Sequence, residues 1–201
     1  MNSLHRTRRI KYIEPGNSLK TIAQYTYNPM GTIKEIDFGN GIKQIFRYDL
    51  RDRVLMSEAR KGTALVHRQI LEYDAVGNRI SDEDEKGFKT GYAYDELYRL
   101  KQVIYPGTVP NKEGDTYYRY DSVGNRIKMV GRYMEHTYTY KPHLNQLTNV
   151  KINRTGGIYY RYDLNGNLIK EEHYRGKLKS REVFKEVSLE WDAENRLTGI
   201  R

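Results

Sequence analysis

Large apolar and polar residues alternate along most of the chain, and two bulky apolar side chains repeatedly stand two residues apart. In the clearest segment, Tyr118 and Tyr120 flank Arg119, so both rings point to one face of a strand and the guanidinium to the other. Asp121 and Gly124 then occupy the first and last positions of a four-residue turn. The pattern predicts a hairpin closed by a type I turn and a left-handed glycine.

The same pattern recurs from one end of the chain to the other. Its eight copies, aligned on the second apolar residue of each, give the anchor residues Tyr27, Tyr48, Tyr73, Tyr94, Tyr120, Tyr140, Tyr162 and Trp191. The mean period is about 23 residues, which is typical of stacked repeat proteins. Ile10 and Tyr12 predict a ninth, degenerate unit over residues 10–24. We therefore expect residues 1–201 to form a single repeat array of about eight units.

Turn residues follow the anchors and complete the set of structural repeat positions. The acidic residues directly after an anchor are Asp49, Asp74, Asp95, Asp121, Asp163 and Asp192, and the glycines three residues later are Gly77, Gly124 and Gly166. Asp52 and Asn195 replace glycine with residues that tolerate positive φ, whereas Tyr98 and Leu144 predict a different turn. Because the aspartates recur regularly, we interpret them as turn caps and not as paired carboxylates for glycoside hydrolysis.

A second set of glycines lies between the copies and predicts a second turn in each unit. These are Gly39 or Gly41, Gly62, Gly87, Gly114, Gly131, Gly156 or Gly157, and Gly176. Two turns per unit give two short strands per unit. Residues 177–190 are highly charged, yet Val187, Leu189 and Trp191 alternate as in a strand, so no segment predicts a helix.

Composition narrows the classes of function. The chain has no cysteine, which excludes disulfides and thiolate metal sites. Nineteen tyrosines supply much of the apolar area, and because each hydroxyl needs a partner or water, they predict a thin, partly hydrated interior. The 35 Lys and Arg residues, with a formal net charge of +9, are spread evenly, as on a solvated face. The sequence shows no signal peptide and no apolar run long enough to span a membrane.

No residue pattern predicts a catalytic, cofactor or metal site. No two of the five histidines have the spacing of a helical ligand pair. Residues 82–87 are similar to a calcium loop, but Lys86 replaces an oxygen ligand and Ala93 replaces the closing glutamate. We therefore expect a solvated acidic turn there, no bound cofactor and no enzymatic activity.

Three segments, Tyr118 to Ile127, Tyr73 to Ile80 and Trp191 to Leu197, resemble the YD repeats of the Rhs family. The resemblance covers nearly the whole chain. It implies a spiral of antiparallel β-hairpins that forms an open, curved sheet or a segment of a shell or barrel, as in polymorphic toxins, insecticidal toxin complexes and teneurins. Such shells normally continue into a plug, a self-cleaving segment and a variable toxin domain, and no segment of this sequence matches those parts.

The resemblance further implies a non-enzymatic scaffold that encapsulates or presents a toxin or other cargo, either secreted or at the cell surface. Its expected partners are the remainder of a longer Rhs-like polypeptide, a toxin or shell partner, or a second copy paired through strand edges. Rows of Tyr beside Arg and Asn can also stack on sugar rings, so a carbohydrate-binding cell-surface module is the alternative. The anchor tyrosines are better explained as core residues, and we expect no specific nucleic-acid ligand.

Overall fold

The described part of the chain consists of strands, turns and connecting loops. The computed structural model describes residues 6–13, 15, 18–107, 114–176 and 181–201. This part of the chain contains seventeen β-strands and no helix, hence no helix that could cross a membrane. Strand pairs are antiparallel throughout, which confirms the predicted all-β class of antiparallel hairpins.

The chain divides into two compact units, Met1–Tyr92 with Tyr105–Val109, and Ala93–Ile104 with Pro110–Arg201. A single array over residues 1–201 stays a prediction. Within the predicted ninth unit, the described residues form a hairpin, whereas residues 14, 16 and 17 lie outside the described part.

Eight strands begin in the first unit, and the last of them ends two residues inside the second unit. They are β1 (Arg9–Ile13), β2 (Leu19–Tyr27), β3 (Ile33–Phe38), β4 (Ile42–Tyr48), β5 (Val54–Lys61), β6 (Ala64–Tyr73), β7 (Arg79–Asp84) and β8 (Lys89–Tyr94). Each strand from β2 to β8 pairs with the one before it. The turns after β2, β4 and β6 therefore share one edge, and the turns after β3, β5 and β7 share the opposite edge.

The second unit has the same meander order of strands. Its strands are β9 (Leu100–Ile104), β10 (Thr116–Tyr120), β11 (Arg126–Val130), β12 (Glu135–Tyr140), β13 (Leu147–Ile152), β14 (Gly156–Tyr162), β15 (Leu168–Arg175), β16 (Glu182–Trp191) and β17 (Leu197–Ile200). Each strand from β10 to β17 pairs with the one before it. The turn that precedes β9 and the turns after β10, β12, β14 and β16 consequently lie at one edge of this unit.

A β-bulge stands beside the anchor residue in seven of the described hairpins. In the β10–β11 pair, Arg119 faces Lys128 while Tyr120 faces Arg126, so Ile127 is one extra residue on the returning strand. The same shift occurs immediately before Tyr27, Tyr48, Tyr73, Tyr140, Tyr162 and Trp191. A bulge increases the local twist and redirects the side chains beside it, and the sequence pattern did not predict it.

The core is thin, as the tyrosine-rich composition predicts. The buried apolar side chains of the described residues are Ala23, Val103, Val150 and Tyr174. All eight anchor residues are only half-buried, so the expectation that their rings form the core is wrong. The physical reason is that each unit is a row of paired strands without helices, and an anchor ring is covered mainly by its neighbouring hairpins.

The second turn forms at glycine in several units, but not at Gly156 or Gly157. Positive φ at Gly41, Gly62 and Gly87 confirms the predicted turns there. Between β13 and β14 the positive φ falls instead on Asn153, at 51°, and both glycines lie within β14. A Cβ atom at Gly157 would lie 2.5 Å from the hydroxyl of Tyr174. It would lie even closer to the Val150 carbonyl oxygen, so this glycine makes room both for the neighbouring backbone and for the tyrosine ring.

Candidate functional site: the contacts between hairpins

The predicted anchors occupy equivalent places in the fold, because each is the last residue of an even-numbered strand from β2 to β16. A turn begins immediately after each of them. At Asp121 the carboxylate oxygen Oδ1 accepts backbone N–H bonds from Val123 at 3.1 Å and Asn125 at 2.8 Å. The backbone N–H of Gly124 donates to the Asp121 carbonyl at 3.2 Å, and φ of Gly124 is 97°. These bonds and the positive φ confirm the predicted turn closed by glycine.

Five further aspartates that directly follow an anchor accept the same pair of bonds at Oδ1, from the backbone N–H groups two and four residues ahead. They are Asp49, Asp74, Asp95, Asp163 and Asp192. At Gly77 and Gly166 the positive φ values are 106° and 89°. The aspartates therefore act within their own turns, and each carboxylate is saturated with local donors.

Hydrogen bonding holds the turn carboxylates in the ionised form. Desolvation by itself raises the pKa of Asp121, but the bonds from Asn125, Val123 and Gly124 outweigh it and the pKa lies below its ordinary value. The pKa of Asp49 is lowered chiefly by the backbone N–H of Arg53, with the Arg53 guanidinium adding to the effect. A group held ionised by its own turn is suited to structure and not to proton transfer.

The expectation that Tyr98 needs a different turn is wrong. Tyr98 has a positive φ of 59°, its N–H donates to the Asp95 carbonyl at 3.0 Å, and Asp95 accepts the usual bonds. The guanidinium of Arg99 donates to Asp95 Oδ2 at 2.7 Å, which supports the turn without glycine. At Leu144 the prediction is confirmed, since that loop is one residue longer and both His143 and Asn145 have positive φ.

The polar atom of most anchors reaches back to the preceding hairpin. In each case it donates to the backbone carbonyl at or next to the start of the earlier returning strand. The bonds are Tyr48 to Ile33 (2.7 Å), Tyr73 to Val54 (2.9 Å), Tyr120 to Leu100 (2.8 Å), Tyr140 to Arg126 (3.1 Å), Tyr162 to Leu147 (2.9 Å) and Trp191 to Leu168 (2.8 Å); Tyr27 donates to Thr7 (2.5 Å). An anchor thus closes its own strand and fastens it to the previous hairpin.

Two arginines connect their own turn to the next hairpin along the chain. Arg99 bonds Asp95 in its own turn, lies 4.7 Å above the centre of the Tyr120 ring and donates to the Asp121 carbonyl at 3.1 Å. Arg53 repeats this arrangement two copies of the repeat earlier, with its guanidinium 4.6 Å above the ring of the next anchor, Tyr73. A guanidinium that pairs with a carboxylate and stacks on a ring combines two favourable interactions in one side chain. We call these two residues the arginine clips.

Asparagine occupies the same turn position in three other hairpins and connects units differently. Asn125 Nδ2 donates to Asp121 Oδ2 at 3.0 Å and to the Asn145 side chain in the next turn at 3.1 Å. Asn167 bonds Asp163 at 3.0 Å and Asn195 at 2.9 Å in the same way. Both turn types therefore join successive hairpins.

Sequence reasoning missed the arginine clips. It treated the Lys and Arg residues as a solvated surface, although an Arg or Asn stands five residues after the anchor in seven of the eight copies. That recurrence was the available signal. Its meaning depends on the next anchor ring, about twenty residues away, lying beneath the guanidinium.

One open groove of about 490 Å³ lies on the other face of the second unit, away from the anchor rings. Tyr117, Arg119 and Lys128 contribute to its lining. Tyr117 is partly exposed, and Gln102 donates to its hydroxyl at 3.1 Å. The groove thus places an aromatic ring beside two cationic side chains.

Solved structures with the same fold belong to TcdB2-TccC3 complexes. TcdB2-TccC3-Cdc42 matches with a TM-score of 0.70 at 23% identity, over 90% of this chain and 10% of the matched chain. TcdB2-TccC3-TEV matches with a TM-score of 0.72 at 15% identity, over 96% and 11%. TcdB2-TccC3 itself gives 0.68 at 22% identity, over 90% and 10%. The chain thus spans about a tenth of the length of the structures that it matches.

A comparison with curated proteins finds no match. The model of the teneurin YD-shell family, in contrast, matches residues 3–201, which is almost the entire sequence. This match agrees with the recurrent anchor–aspartate turns and with the antiparallel hairpin fold. The chain belongs to the teneurin YD-shell family.

Proposed function

We propose that the chain is a structural segment of a YD shell, without enzymatic activity, that encloses or presents a cargo protein such as a toxin. The observation that carries the proposal is the series of contacts between hairpins. Turn carboxylates, anchor hydroxyls and the arginine clips are all engaged in holding successive hairpins together. The side chains that could otherwise bind or activate a substrate are therefore occupied in contacts between hairpins, as we expect of a structural segment.

The similar structures support a role within a larger assembly. TcdB2-TccC3 is named as a complex, and its chains are about ten times longer than the part that this chain matches. The expected partners are therefore further shell segments, from the remainder of a longer Rhs-like polypeptide or from a separate subunit, together with an enclosed or displayed toxin. Secretion or display at the cell surface belongs to the same proposal.

The final hairpin offers a surface for such a neighbour. Arg196 holds the turn position of Arg53 and Arg99 and donates to Asp192 Oδ2 at 2.8 Å. Its side chain is 72% exposed, and in the described part of the chain no aromatic ring lies beneath it. A following YD hairpin, whether covalently joined or supplied by a partner, would place an anchor ring in this position.

The proposal can be tested by protease protection of the cargo. The assembly that contains this chain would be purified from its natural source, and the cleavage rate of each accompanying protein would be compared with that of the free protein. We expect an enclosed cargo to resist cleavage. The variant Arg99→Ala, which loosens two neighbouring hairpins, should speed its cleavage, whereas Arg119→Ala on the groove face should not.

An accompanying protein that is cleaved as fast in the assembly as in free form would contradict encapsulation. The carbohydrate-binding alternative predicts a different outcome, namely sugar-specific binding on a glycan array that survives high salt. Binding of polyanions that fades steeply with salt would reflect the net charge of +9 only.

A further inference from the structure

Two hairpins of the second unit carry the same pair of facing cations on the face away from the anchor rings. In the β10–β11 pair Arg119 lies directly across from Lys128. In the β14–β15 pair Arg161 lies directly across from Lys170. Like charges that face each other across two strands repel and destabilise the sheet, so each pair needs a carboxylate nearby.

The β14–β15 hairpin contains that carboxylate. Glu172 lies two residues beyond Lys170, on the same face of the strand, and its side chain is only 12% exposed. Its Oε2 lies 3.1 Å from Nη2 of Arg161, and its Oε1 lies 3.5 Å from Nζ of Lys170. Lys43 and Arg60, a further facing pair in the described strands, also have carboxylate partners on both members. Facing cations in this fold are thus normally neutralised from within the chain.

The β10–β11 hairpin lacks a carboxylate at the equivalent position. Val130 occupies the place of Glu172, because both residues face a tyrosine across the strand pair and both lie two residues beyond the lysine. Lys128 pairs with Glu135 of the next strand at 2.8 Å. In the described part of the chain, however, no carboxylate forms an ion pair with Arg119. This hairpin therefore has the facing cations without the group that bridges them.

The open groove of about 490 Å³ lies at this same place. Its lining includes Val130 and both facing cations, and the neighbouring strand β9 adds Lys101. No carboxylate among the described residues forms an ion pair with Lys101 either. The volume lies within the range of about 300–1,000 Å³ that is usual for ligand sites. The place that a bridging carboxylate would fill is thus open to a ligand.

The tyrosines of the two hairpins differ in the same sense. The ring of Tyr159 stacks on Tyr174 with 4.9 Å between the ring centres, and the Arg181 guanidinium lies 4.7 Å from its centre. Tyr117, at the equivalent position of the groove, is 48% exposed, and within the described residues no ring or guanidinium stacks on it. Gln102 donates to its hydroxyl at 3.1 Å. The ring is therefore held in position while its surface remains available to an apolar group.

We infer that the groove binds an acidic segment of a partner polypeptide, whose carboxylate takes the place that Glu172 fills in the β14–β15 hairpin. The carboxylate lies between the two facing cations and forms charge-assisted hydrogen bonds with Arg119. An apolar side chain of the same segment covers the ring of Tyr117. These two positions of the groove are two residues apart on one strand, which is the spacing of side chains on one face of an extended peptide.

Acidic groups beside the groove favour this partner over a polyanion. Asp115 accepts a hydrogen bond from Gln102 at 3.2 Å, and Glu135 pairs with Lys128. Both carboxylates repel a chain of uniform negative charge, such as a nucleic acid or a sulfated glycan, whereas a peptide with one carboxylate among neutral residues avoids them. Docking here goes beyond the proposed function, because the groove lies away from the anchor rings. Loss of the docked segment leaves the arginine clips and the protection of an enclosed cargo intact.

Fluorescence anisotropy with short, capped and labelled peptides tests the inference. Each peptide contains an aromatic residue and a glutamate two positions apart, the flanking residues vary across the library, and each member has a counterpart with glutamine in place of the glutamate. We expect the unaltered chain to bind glutamate peptides at least about tenfold more tightly than their counterparts. Arg119→Gln should weaken binding by a similar factor, because it removes the guanidinium that has no carboxylate partner within the chain.

Two further variants separate this site from general attraction to a basic protein. Arg161→Gln is the matched control, since this arginine already pairs with Glu172, and peptide affinity should not change. Val130→Glu places a carboxylate within the chain beside the facing cations. It should therefore weaken peptide binding by about tenfold and raise the urea midpoint of the free chain. If Arg119→Gln fails to fold, Lys101→Gln replaces it.

Three outcomes would overturn the inference. The first is a library in which no peptide binds in a way that depends on its glutamate. The second is an equal loss of affinity in Arg119→Gln and Arg161→Gln, as attraction to the net positive charge would give. The third is an oligonucleotide or heparin fragment that binds more tightly than any peptide and is lost in Arg119→Gln, which would identify a site for polyanions.

Discussion

Two neighbouring turns of the second unit, after Asp95 and after Asp121, form the same hydrogen bonds with different residues. In the first, Tyr98 stands at the position of positive φ and Arg99 follows it. In the second, glycine and Asn125 take these places. Both carboxylates accept two backbone N–H bonds, so the backbone of the hairpin does not depend on which pair is present.

The φ angles explain which residue type each turn accepts. The non-glycine residues Asp52, Tyr98 and Asn195 have φ of 58°, 59° and 61°. These values lie within the range of about +50° to +70° that other L-residues can adopt. In the asparagine turns the glycine φ values are 89°, 97° and 106°, which lie outside that range. An arginine turn is therefore compatible with a side chain, and an asparagine turn requires glycine.

The two turn types also differ in how far their Arg or Asn side chain extends toward the next hairpin. Arg99 extends from its own aspartate to the ring and carbonyl of the next hairpin, while Asn125 extends from its own aspartate only to the Asn145 side chain in the next turn. Local turn geometry and contact between units are thus separate properties. The arginine turn combines a less favourable residue at positive φ with a stronger connection to the next unit.

The largest effect should come from removing the ring beneath an arginine clip. Tyr120→Ala loses a half-buried ring, its bond to the Leu100 carbonyl and the surface on which Arg99 lies, and should cost about 2–4 kcal/mol in the free energy of unfolding. Tyr140→Ala should cost less, since in the described residues no guanidinium lies on that ring. Urea unfolding measures both, and Tyr120→Phe, expected near 1 kcal/mol, isolates the hydroxyl. Equal losses for the two alanine variants would refute the distinction.

The second largest effect should be a difference in stability between the two turn types when valine is placed at the position of positive φ. Gly124→Val places a β-branched residue at a φ of 97° and should cost about 1–3 kcal/mol. Tyr98→Val exchanges one residue at 59° for another and should cost less than about 1 kcal/mol. Thermal unfolding of the two variants side by side checks this order, and the reverse order would show that φ does not distinguish the turns.

Shortening the clips should have a smaller effect that depends on side-chain shape. Arg99→Lys keeps the charge but loses the planar fork that bonds Asp95 while it stacks on Tyr120, so a loss of about 1–2 kcal/mol is expected. Asn125→Ala should lose about 0.5–1.5 kcal/mol. Unfolding at low and high salt adds a control, because only the arginine variant should reduce the salt sensitivity. If Arg99→Lys is as stable as the unaltered chain, the arginine contributes through its charge alone.

The smallest effect concerns pH and should be common to both turn types. The pKa values of Asp95 and Asp121 are lower in the folded chain than their ordinary value, because hydrogen bonds outweigh desolvation. Their stabilisation is therefore present above the unfolded pKa of about 3.9 and is lost as pH falls through the folded values. Urea midpoints between pH 6 and pH 3 should fall, and Asp121→Asn should flatten the curve. Glu96→Gln, an exposed carboxyl in the Asp95 turn, is the control.

Much of each hairpin could be predicted from sequence because its interactions are local. The alternation of Tyr118, Arg119 and Tyr120 indicated the strand, and Asp121 with Gly124 indicated the turn. The prediction failed at Tyr98, where an intrinsic preference was taken to exclude positive φ. The arginine one residue later bonds the Asp95 carboxylate and supports the turn, and a rule based on the residue at the turn position alone does not include that bond.

Sequence alone therefore determined the repeat, the strands, the anchor positions and the capping aspartates, since all of these depend on residues fewer than about six positions apart. Only the tertiary structure decided which hairpin the polar groups of the anchors bond, that Arg53 and Arg99 stack on the next anchor ring, and that the anchors remain half-buried. These features join residues about twenty positions apart, and they exist only after strand pairing and bulges bring neighbouring hairpins into register.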